Sequence, residues 1–413
     1  MKKLIFILSL LVPFLALSPF ALQAKFESNG VELVYTPILD TELQNPDLRN
    51  PAEVWLELFA GAKHSIDLGQ MYVYSDEGKV LEPLIDALNS AAERGVKIRL
   101  ITEKKMQYAT NPNTMARLEK IKNLESKVID FDKIHHGGIS HAKYIVVDHQ
   151  VAYVGSQNFD SRSLQHIHET GFLLRDSRIV NQVQRIFNLD WKAYDSLAKG
   201  KTPVGFRKTE PSASKNSLYL VASPPDFLPA DVISSEVELP RLLKEAKEEV
   251  RAMVLTYSPT DHDKSYYPLI DNAIREAASR NVKIKLLVSN WNQFHPGIDY
   301  LKSLSLVPGV EIRIVAIPQR KDEFVEFGRV VHSKTMTIDG KIAWVGTSNW
   351  SGGYLNKTRN LEVVMREERM ATRLAALHEQ LWNSSYAAKI DVNKDYPKTP
   401  RTKEEWKKGG GGK

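Results

Sequence analysis

One eight-residue pattern, His-x-Lys-x-x-x-x-Asp, occurs twice in this chain, about half its length apart. Its members are His141, Lys143 and Asp148 in the first occurrence and His332, Lys334 and Asp339 in the second. Alternate side chains of a strand share one face, so each His points the same way as its Lys. The β-branched, apolar residues that follow each Lys predict buried strands. One such pattern would carry little weight, but two predict a duplicated fold.

Each motif is followed by a second matched feature, a turn of small residues that ends in Asn. The turns read GSQN and GTSN and end at Asn158 and Asn349. A carboxylate then stands in a short apolar stretch, Glu169 in the first half and Glu362 in the second. If the two halves meet face to face, two His, two Lys and two Asn converge on one cavity.

This set of side chains suits chemistry on a phosphate group. Lys and Asn are donors that would surround an anion and stabilise charge developing in a transition state. One neutral His can attack while the other, protonated, donates a proton, because imidazole titrates near neutral pH. Glu169 and Glu362 could accept from the far ring nitrogens and fix the orientation of the rings. The residues predict phosphoryl transfer through a phosphohistidine, without a metal or another cofactor.

The two motifs resemble those of the phospholipase D superfamily. The residues that follow the two motifs, GSQNFDSRSL and GTSNWSGGYL, resemble those of the branch that contains the lysosomal phospholipase D-like exonucleases and their poxvirus envelope relatives. The resemblance extends to SPPDFLP at residues 223–229 and YYPLIDNAI at residues 266–274, and so to nearly all of the chain after its first residues. The chain departs from the family where His149 replaces the usual glycine, and it lacks the cysteines common in the lysosomal relatives.

The resemblance implies a role for each motif residue. His141 matches the family's nucleophile, and His332 matches its general acid. The residues that match the phosphate binders are Lys143, Lys334, Asn158 and Asn349. Asp148 and Asp339 match the motif's Asp, and their place at a hairpin turn favours a structural role over direct catalysis.

A further cluster, His135-His136-Gly137-Gly138, stands just before the first motif. It contains possible metal ligands, but we favour a flexible lip over the pocket. With no cysteine in the chain, a zinc site built on thiolates is excluded.

A longer repeat supports the duplication. PLIDALNSAAERGVKIRLI at residues 83–101 echoes PLIDNAIREAASRNVKIKLL at residues 268–287, each reading as an amphipathic helix, a basic turn and a strand. We therefore predict an α/β fold, a tandem duplicated phospholipase D-type α/β sandwich with two pseudo-symmetric halves that share one active site. The expected boundaries are residues 25–199 and 218–390 for the halves, 200–217 for the linker and 391–413 for a flexible basic tail.

The first residues indicate export. Two lysines precede an apolar run that is short for a membrane span, so residues 1–24 read as a cleaved signal peptide, with an uncleaved anchor as the alternative. We expect a periplasmic or secreted protein. The net charge of +6 suits an anionic partner, whether lipid surface or nucleic acid.

Three functions remain open from the residues. The leading one is hydrolysis of phospholipids, or transfer of their phosphatidyl group, with possible peripheral contact with a membrane surface. The second is a metal-independent exonuclease on single-stranded nucleic acid. The third is a non-catalytic binder of lipid or nucleic acid. A monomer is expected, because both half-sites belong to one chain.

Overall fold

The computed structural model describes residues 25–408, so the predicted signal peptide lies outside the described residues. The strands of the first half are β1 (Glu27–Ser28), β2 (Val31–Thr36), β3 (Ser65–Gly69), β4 (Val73–Tyr74), β5 (Lys97–Glu103), β6 (Leu124–Ile129), β7 (Tyr144–Val147), β8 (Val151–Gly155), β9 (Phe159–Asp160) and β10 (Glu169–Leu174). Its helices are α1 (Pro51–Gly61), α2 (Glu82–Glu93), α3 (Pro112–Leu118) and α4 (Ser177–Ala198), with 3₁₀ turns at Lys104–Ala109 and Phe131–Lys133.

Residues 200–217 contain no helix or strand, and the second half follows. Its strands are β11 (Leu218–Ser223), β12 (Ile233–Ser234), β13 (Glu249–Val254), β14 (Lys283–Ser289), β15 (Val310–Val315), β16 (Thr335–Ile338), β17 (Ile342–Gly346), β18 (Asn360–Arg366) and β19 (Ala387–Lys389). Its helices are α5 (Ser235–Glu245), α6 (Leu269–Ser279), α7 (Gly297–Ser305), α8 (Gly352–Asn356), α9 (Glu368–Trp382) and α10 (Lys403–Lys408), with a 3₁₀ turn at Asn290–Asn292.

The strand order confirms the duplicated α/β fold. The first sheet runs β1-β2-β10-β8-β7-β3-β5-β6, and the second runs β12-β11-β18-β17-β16-β13-β14-β15-β19. From β2 to β6 and from β11 to β15 the two orders correspond strand for strand. In both, the motif strand (β7 or β16) lies antiparallel to the strand beside it, β3 or β13.

The largest hydrophobic core joins the two halves. It contains apolar residues of both sheets together with α4 and α9, including Val183, Phe187 and Leu374. The outer faces have separate cores, under α1 and α2 in the first half and under α5 and α6 in the second. The two sheets therefore pack toward each other around α4 and α9, and the motif strands lie near the shared core. Among residues 25–408, no helix has the length and apolar character needed to cross a bilayer.

The segment after β19 differs from the expected flexible tail. Trp406 stacks on Phe324 with ring centroids 5.2 Å apart, and the Arg401 guanidinium lies 4.7 Å from the Trp291 ring. The composition predicted a flexible basic tail. In the structure, aromatic and guanidinium side chains hold residues 391–408 against the second half. The remaining tail, residues 409–413, lies outside the described part of the chain.

Candidate active site

The two motifs meet where the halves join, because each pairs with the opposite half. The backbone N–H of His141 donates to the carbonyl of Arg359 at 3.0 Å, just before β18. The N–H of His332 donates to the carbonyl of His168 at 3.0 Å, just before β10. Each motif is thus fixed by the half that does not contain it, and all four motif His and Lys side chains are buried.

The orientation of each imidazole is also set by the opposite half. His141 Nδ1 lies 2.9 Å from Asn360 Oδ1, and His332 Nδ1 lies 2.8 Å from Glu169 Oε2. The expected role of Glu169 agrees with this geometry. Glu362 does not orient a histidine: it accepts hydrogen bonds from the hydroxyls of Ser235 and Ser348.

Strand register explains why Glu362 does not orient a histidine. Gly171 pairs with Gly155 in the first half, and Glu362 pairs with Gly346 in the second. Glu362 is therefore the counterpart of Gly171, and the counterpart of Glu169 is Asn360, two residues earlier. The match of Glu169 to Glu362 in the sequence was therefore wrong. Glu169 lies two residues before the residue that pairs with the turn glycine, and the same count in the second half gives Asn360.

The motif lysines lie inside the same cluster. Each donates to the carbonyl oxygen of the histidine two residues before it, Lys143 to His141 and Lys334 to His332. Burial lowers the pKa of Lys334 to about 7. Burial, and then the charge of Lys334, lowers the pKa of Lys143 well below its usual value. An anion bound beside these lysines would favour their charged forms.

The histidines are affected by the same charges. Burial lowers the pKa of His141 well below its usual range, and Lys143 and Lys334 lower it further. Burial likewise lowers the pKa of His332, with Lys334 and Lys143 adding to the effect. Burial raises the pKa of Glu169 to about 8, although both lysines oppose the rise. Because each half influences the other's groups, the four motif side chains form one electrostatic unit.

The two turn asparagines are buried beside the motif strands. Asn158 and Asn349 each have a side-chain Oδ1 without a hydrogen-bond partner among the described residues. A buried amide without a full set of partners is costly unless a ligand or water completes it. Tyr354, an aromatic residue shortly after the second motif, also lies at the site: its ring stands edge-on to His141 with centroids 5.0 Å apart.

The motif aspartates bind backbone N–H groups at their hairpin turns. Asp148 accepts three backbone N–H groups, from residues 63–65, at 2.7 to 2.8 Å. Asp339 accepts the equivalent three, from residues 247–249, at 2.9 Å. Each Asp ties its hairpin turn to the loop before the neighbouring strand, and neither belongs to the buried His and Lys cluster. His149, the departure from the usual glycine, has a φ of 55° in this turn.

The upstream histidines do not converge on a common point. His135 lies 2.8 Å from an Asp226 carboxylate oxygen, whereas the His136 side chain is fully exposed, 3.6 Å from Asp132. Within residues 25–408, no group of three or more His, Asp or Glu side chains is arranged to hold a metal ion.

Comparison with known proteins identifies the family. The family model described as "Cardiolipin synthase, PLD-like domain" matches residues 55–191 and 239–382, so both halves belong to the phospholipase D superfamily. The chain is 29% identical over 365 residues to "Phospholipase D Z" of Dictyostelium discoideum, covering 81% of this chain and 85% of that protein. It is 28% identical over 386 residues to "5'-3' exonuclease PLD3" of Xenopus laevis, covering 82% and 76%.

One further relative matches in sequence, and one solved structure matches in fold. "Probable phospholipase D F09G2.8" of Caenorhabditis elegans is 28% identical over 370 residues, which cover 81% of this chain and 66% of that protein. The solved phosphatidylserine synthase of Haemophilus influenzae shares the fold, with a TM-score of 0.62, 11% identity, and coverage of 89% of this chain and 88% of that one.

Proposed function

We propose that this chain, a phosphodiesterase of the phospholipase D superfamily, hydrolyses phospholipids by passing the phosphatidyl group through His141. The unequal partners of the two histidines carry the proposal. Asn360 Nδ2 donates to the Tyr354 carbonyl at 2.8 Å, so its Oδ1 faces His141 and accepts the Nδ1 proton. The amide leaves His141 neutral, with a free lone pair on Nε2, as a nucleophile requires.

The partner of His332 suits a histidine that both donates and accepts a proton. In its ionised form, Glu169 can accept the Nδ1 proton and stabilise an imidazolium, which an amide does far less well. When a phosphodiester anion is bound, its charge favours the protonated ring. His332 can then donate its Nε2 proton to a departing alkoxide.

The reaction proceeds in two balanced steps. His141 Nε2 forms a bond to phosphorus while the bond from phosphorus to the alcohol oxygen breaks, and His332 gives that oxygen its proton. Neutral His332 then takes a proton from water, whose oxygen attacks phosphorus and breaks the bond to Nε2. Lys143 and Lys334, with the turn asparagines, stabilise the phosphoryl oxygens in both steps. An acceptor alcohol in place of water gives transfer of the phosphatidyl group.

The phospholipid substrate is supported by relatives named phospholipase D that match over most of their length. Exonuclease action on single-stranded nucleic acid is the second candidate, favoured by Tyr108. This side chain is 83% exposed. Burial raises the pKa of the Tyr354 hydroxyl, and the neighbouring Tyr108 raises it further. An exposed aromatic ring near the site is what a stacked base needs. We also propose export, which rests on the composition of residues 1–24.

The test separates the two histidines by the quality of the leaving group. With bis-p-nitrophenyl phosphate, nitrophenolate leaves with little need of protonation. His332→Ala should therefore release about one nitrophenolate per enzyme in a burst and then turn over slowly as a trapped phosphoenzyme. His141→Ala should show no burst, and the exposed His149→Gly should behave as wild type. A burst in His141→Ala alone would reverse the two roles. Phosphatidylglycerol and a 5′-labelled oligonucleotide, compared side by side, would decide the substrate.

A further inference from the structure

The carboxy-terminal segment contacts a loop that leads directly into the second motif. This loop, residues 318–331, connects β15 to His332. Besides the Trp406 stack on Phe324, the Phe327 N–H donates to the Arg401 carbonyl at 2.8 Å. The Lys403 N–H donates to Glu326 Oε1 at 2.8 Å. Side-chain and backbone contacts therefore both join the segment to the loop.

The same segment contacts the neighbouring turn at Asn290–Asn292. Arg401 donates to the Trp291 carbonyl at 3.2 Å, and the Thr399 hydroxyl donates to the Asn290 carbonyl at 3.0 Å. Trp291 in turn packs against a small apolar cluster of Ile167, Leu255 and Val330, the last of which lies in the loop two residues before His332. Residues 391–408, hereafter the strap, thus hold the loop from two sides.

The strap contacts a loop whose backbone is strained at two residues. Phe327 and Arg329 have φ of 53° and 56°, a region that residues with a side chain rarely adopt. Phe327 is 43% exposed, so burial of its own side chain does little to hold this conformation. Such strain persists only where the surroundings enforce it, and it is concentrated at functional sites.

The loop also forms one wall of a cavity of about 160 Å³ between the halves. Residues 323–326 face Tyr74, Arg162 and His166 of the first half across it. Arg162 is bound to Asp160, which accepts the Tyr72 hydroxyl at 2.8 Å. Hydrogen bonds thus connect this wall to Tyr72 of the first half.

We propose that Arg401 and Trp406 are positioning residues: the strap holds residues 318–331 ready to receive the alcohol portion of the substrate. This extension rests on the proposed function for its substrate. When the strap contacts are removed, substrate binding must also order the loop. The affinity for substrate therefore falls, while the chemistry at His332 is unchanged. Trp406→Ala should therefore raise KM and leave kcat within about twofold.

The experiment compares Trp406→Ala, the conservative Trp406→Phe and the exposed Lys407→Ala in the full chain. All are assayed with bis-p-nitrophenyl phosphate and by limited trypsin cleavage after residues 320 and 321, at a temperature where circular dichroism shows them folded. Trp406→Ala should raise both KM and the cleavage rate by about 2- to 12-fold. This range corresponds to the free energy that one aromatic pair contributes. Trp406→Phe should restore both values.

Two outcomes overturn the proposal. One is equal KM and equal cleavage rates in Trp406→Ala and Lys407→Ala. The other is a fall in kcat at unchanged KM, which would place the effect on the chemical step. If the wild-type protein does not hydrolyse the ester, the proposed function fails, and the trypsin comparison still decides whether the strap orders the loop.

Discussion

Above the pKa of about 8 that burial gives Glu169, replacing this residue by Gln removes one charge from the site and little else. The side chain is fully buried, and its Oε2 lies 2.8 Å from His332 Nδ1. The amide oxygen of Gln can still accept the Nδ1 proton, so the ring keeps its tautomer. What is lost is the attraction between a carboxylate and the imidazolium that protonates the leaving alcohol.

The size of the loss follows from that geometry. Opposite unit charges about 4 Å apart attract by about 4 kcal/mol at the effective dielectric constant of about 20 that describes protein sites. The hydrogen bond that Gln retains is worth about 1 kcal/mol. The remaining loss of about 3 kcal/mol corresponds to about a 10²-fold fall in kcat where departure of an alkoxide limits the rate.

The assay compares two leaving groups in one variant. Glu169→Gln should turn over phosphatidylglycerol about 10²-fold more slowly, yet keep a nearly normal nitrophenolate burst with bis-p-nitrophenyl phosphate. Glu362→Gln is the matched control, a buried carboxylate of the corresponding strand that contacts serines. Equal losses in the two variants would refute the register argument. An equal loss on both substrates in Glu169→Gln would refute the assignment of His332 as the acid.

Three further results are expected. Arg359→Met should lower the free energy of unfolding by about 3–5 kcal/mol in urea, because it leaves Asp190 charged, buried and unpaired; the half-exposed ion pair lost in Arg373→Met should cost under about 1 kcal/mol. Asp148→Asn should cost about 1–2 kcal/mol of stability at nearly unchanged kcat, and a large fall in kcat without a stability change would make Asp148 catalytic. Burial raises the pKa of Glu362 from 4.5 to about 7, so wild type loses stability as pH rises through that window. Glu362→Gln lacks this loss, so its relative stability should grow by up to about 3 kcal/mol between pH 4.5 and 8, and a constant difference would contradict the argument.

The fold and most of the site were predictable because they depend on local patterns. A His and a Lys two residues apart share one face in any strand, and a repeat of motif, turn and helix requires two similar halves. Asn360 was not predictable in the same way, because its role depends on the register between β17 and β18. A slip of two residues keeps the same face and exchanges Asn360 for Glu362.

The strap was missed for a different reason. Composition describes the average environment of a segment, and lysines dominate residues 391–413. The position of this segment instead depends on a few aromatic and guanidinium contacts with distant residues, chiefly those of Arg401 and Trp406. Such contacts form only in the folded chain, so neither periodicity nor charge reveals them.

Each motif histidine is oriented by a residue of the opposite half, and this arrangement has a consequence for the oligomeric state that is active. His141 is oriented by Asn360 from the second half, and His332 by Glu169 from the first. One chain therefore supplies both imidazoles and both of their partners, and no second copy is required to complete the site. Specific activity should stay constant as the protein is diluted from micromolar to nanomolar concentration, with bovine serum albumin present to prevent surface loss. A fall in activity per chain on dilution, reversed on concentrating the same sample, would show that a second subunit contributes to the site.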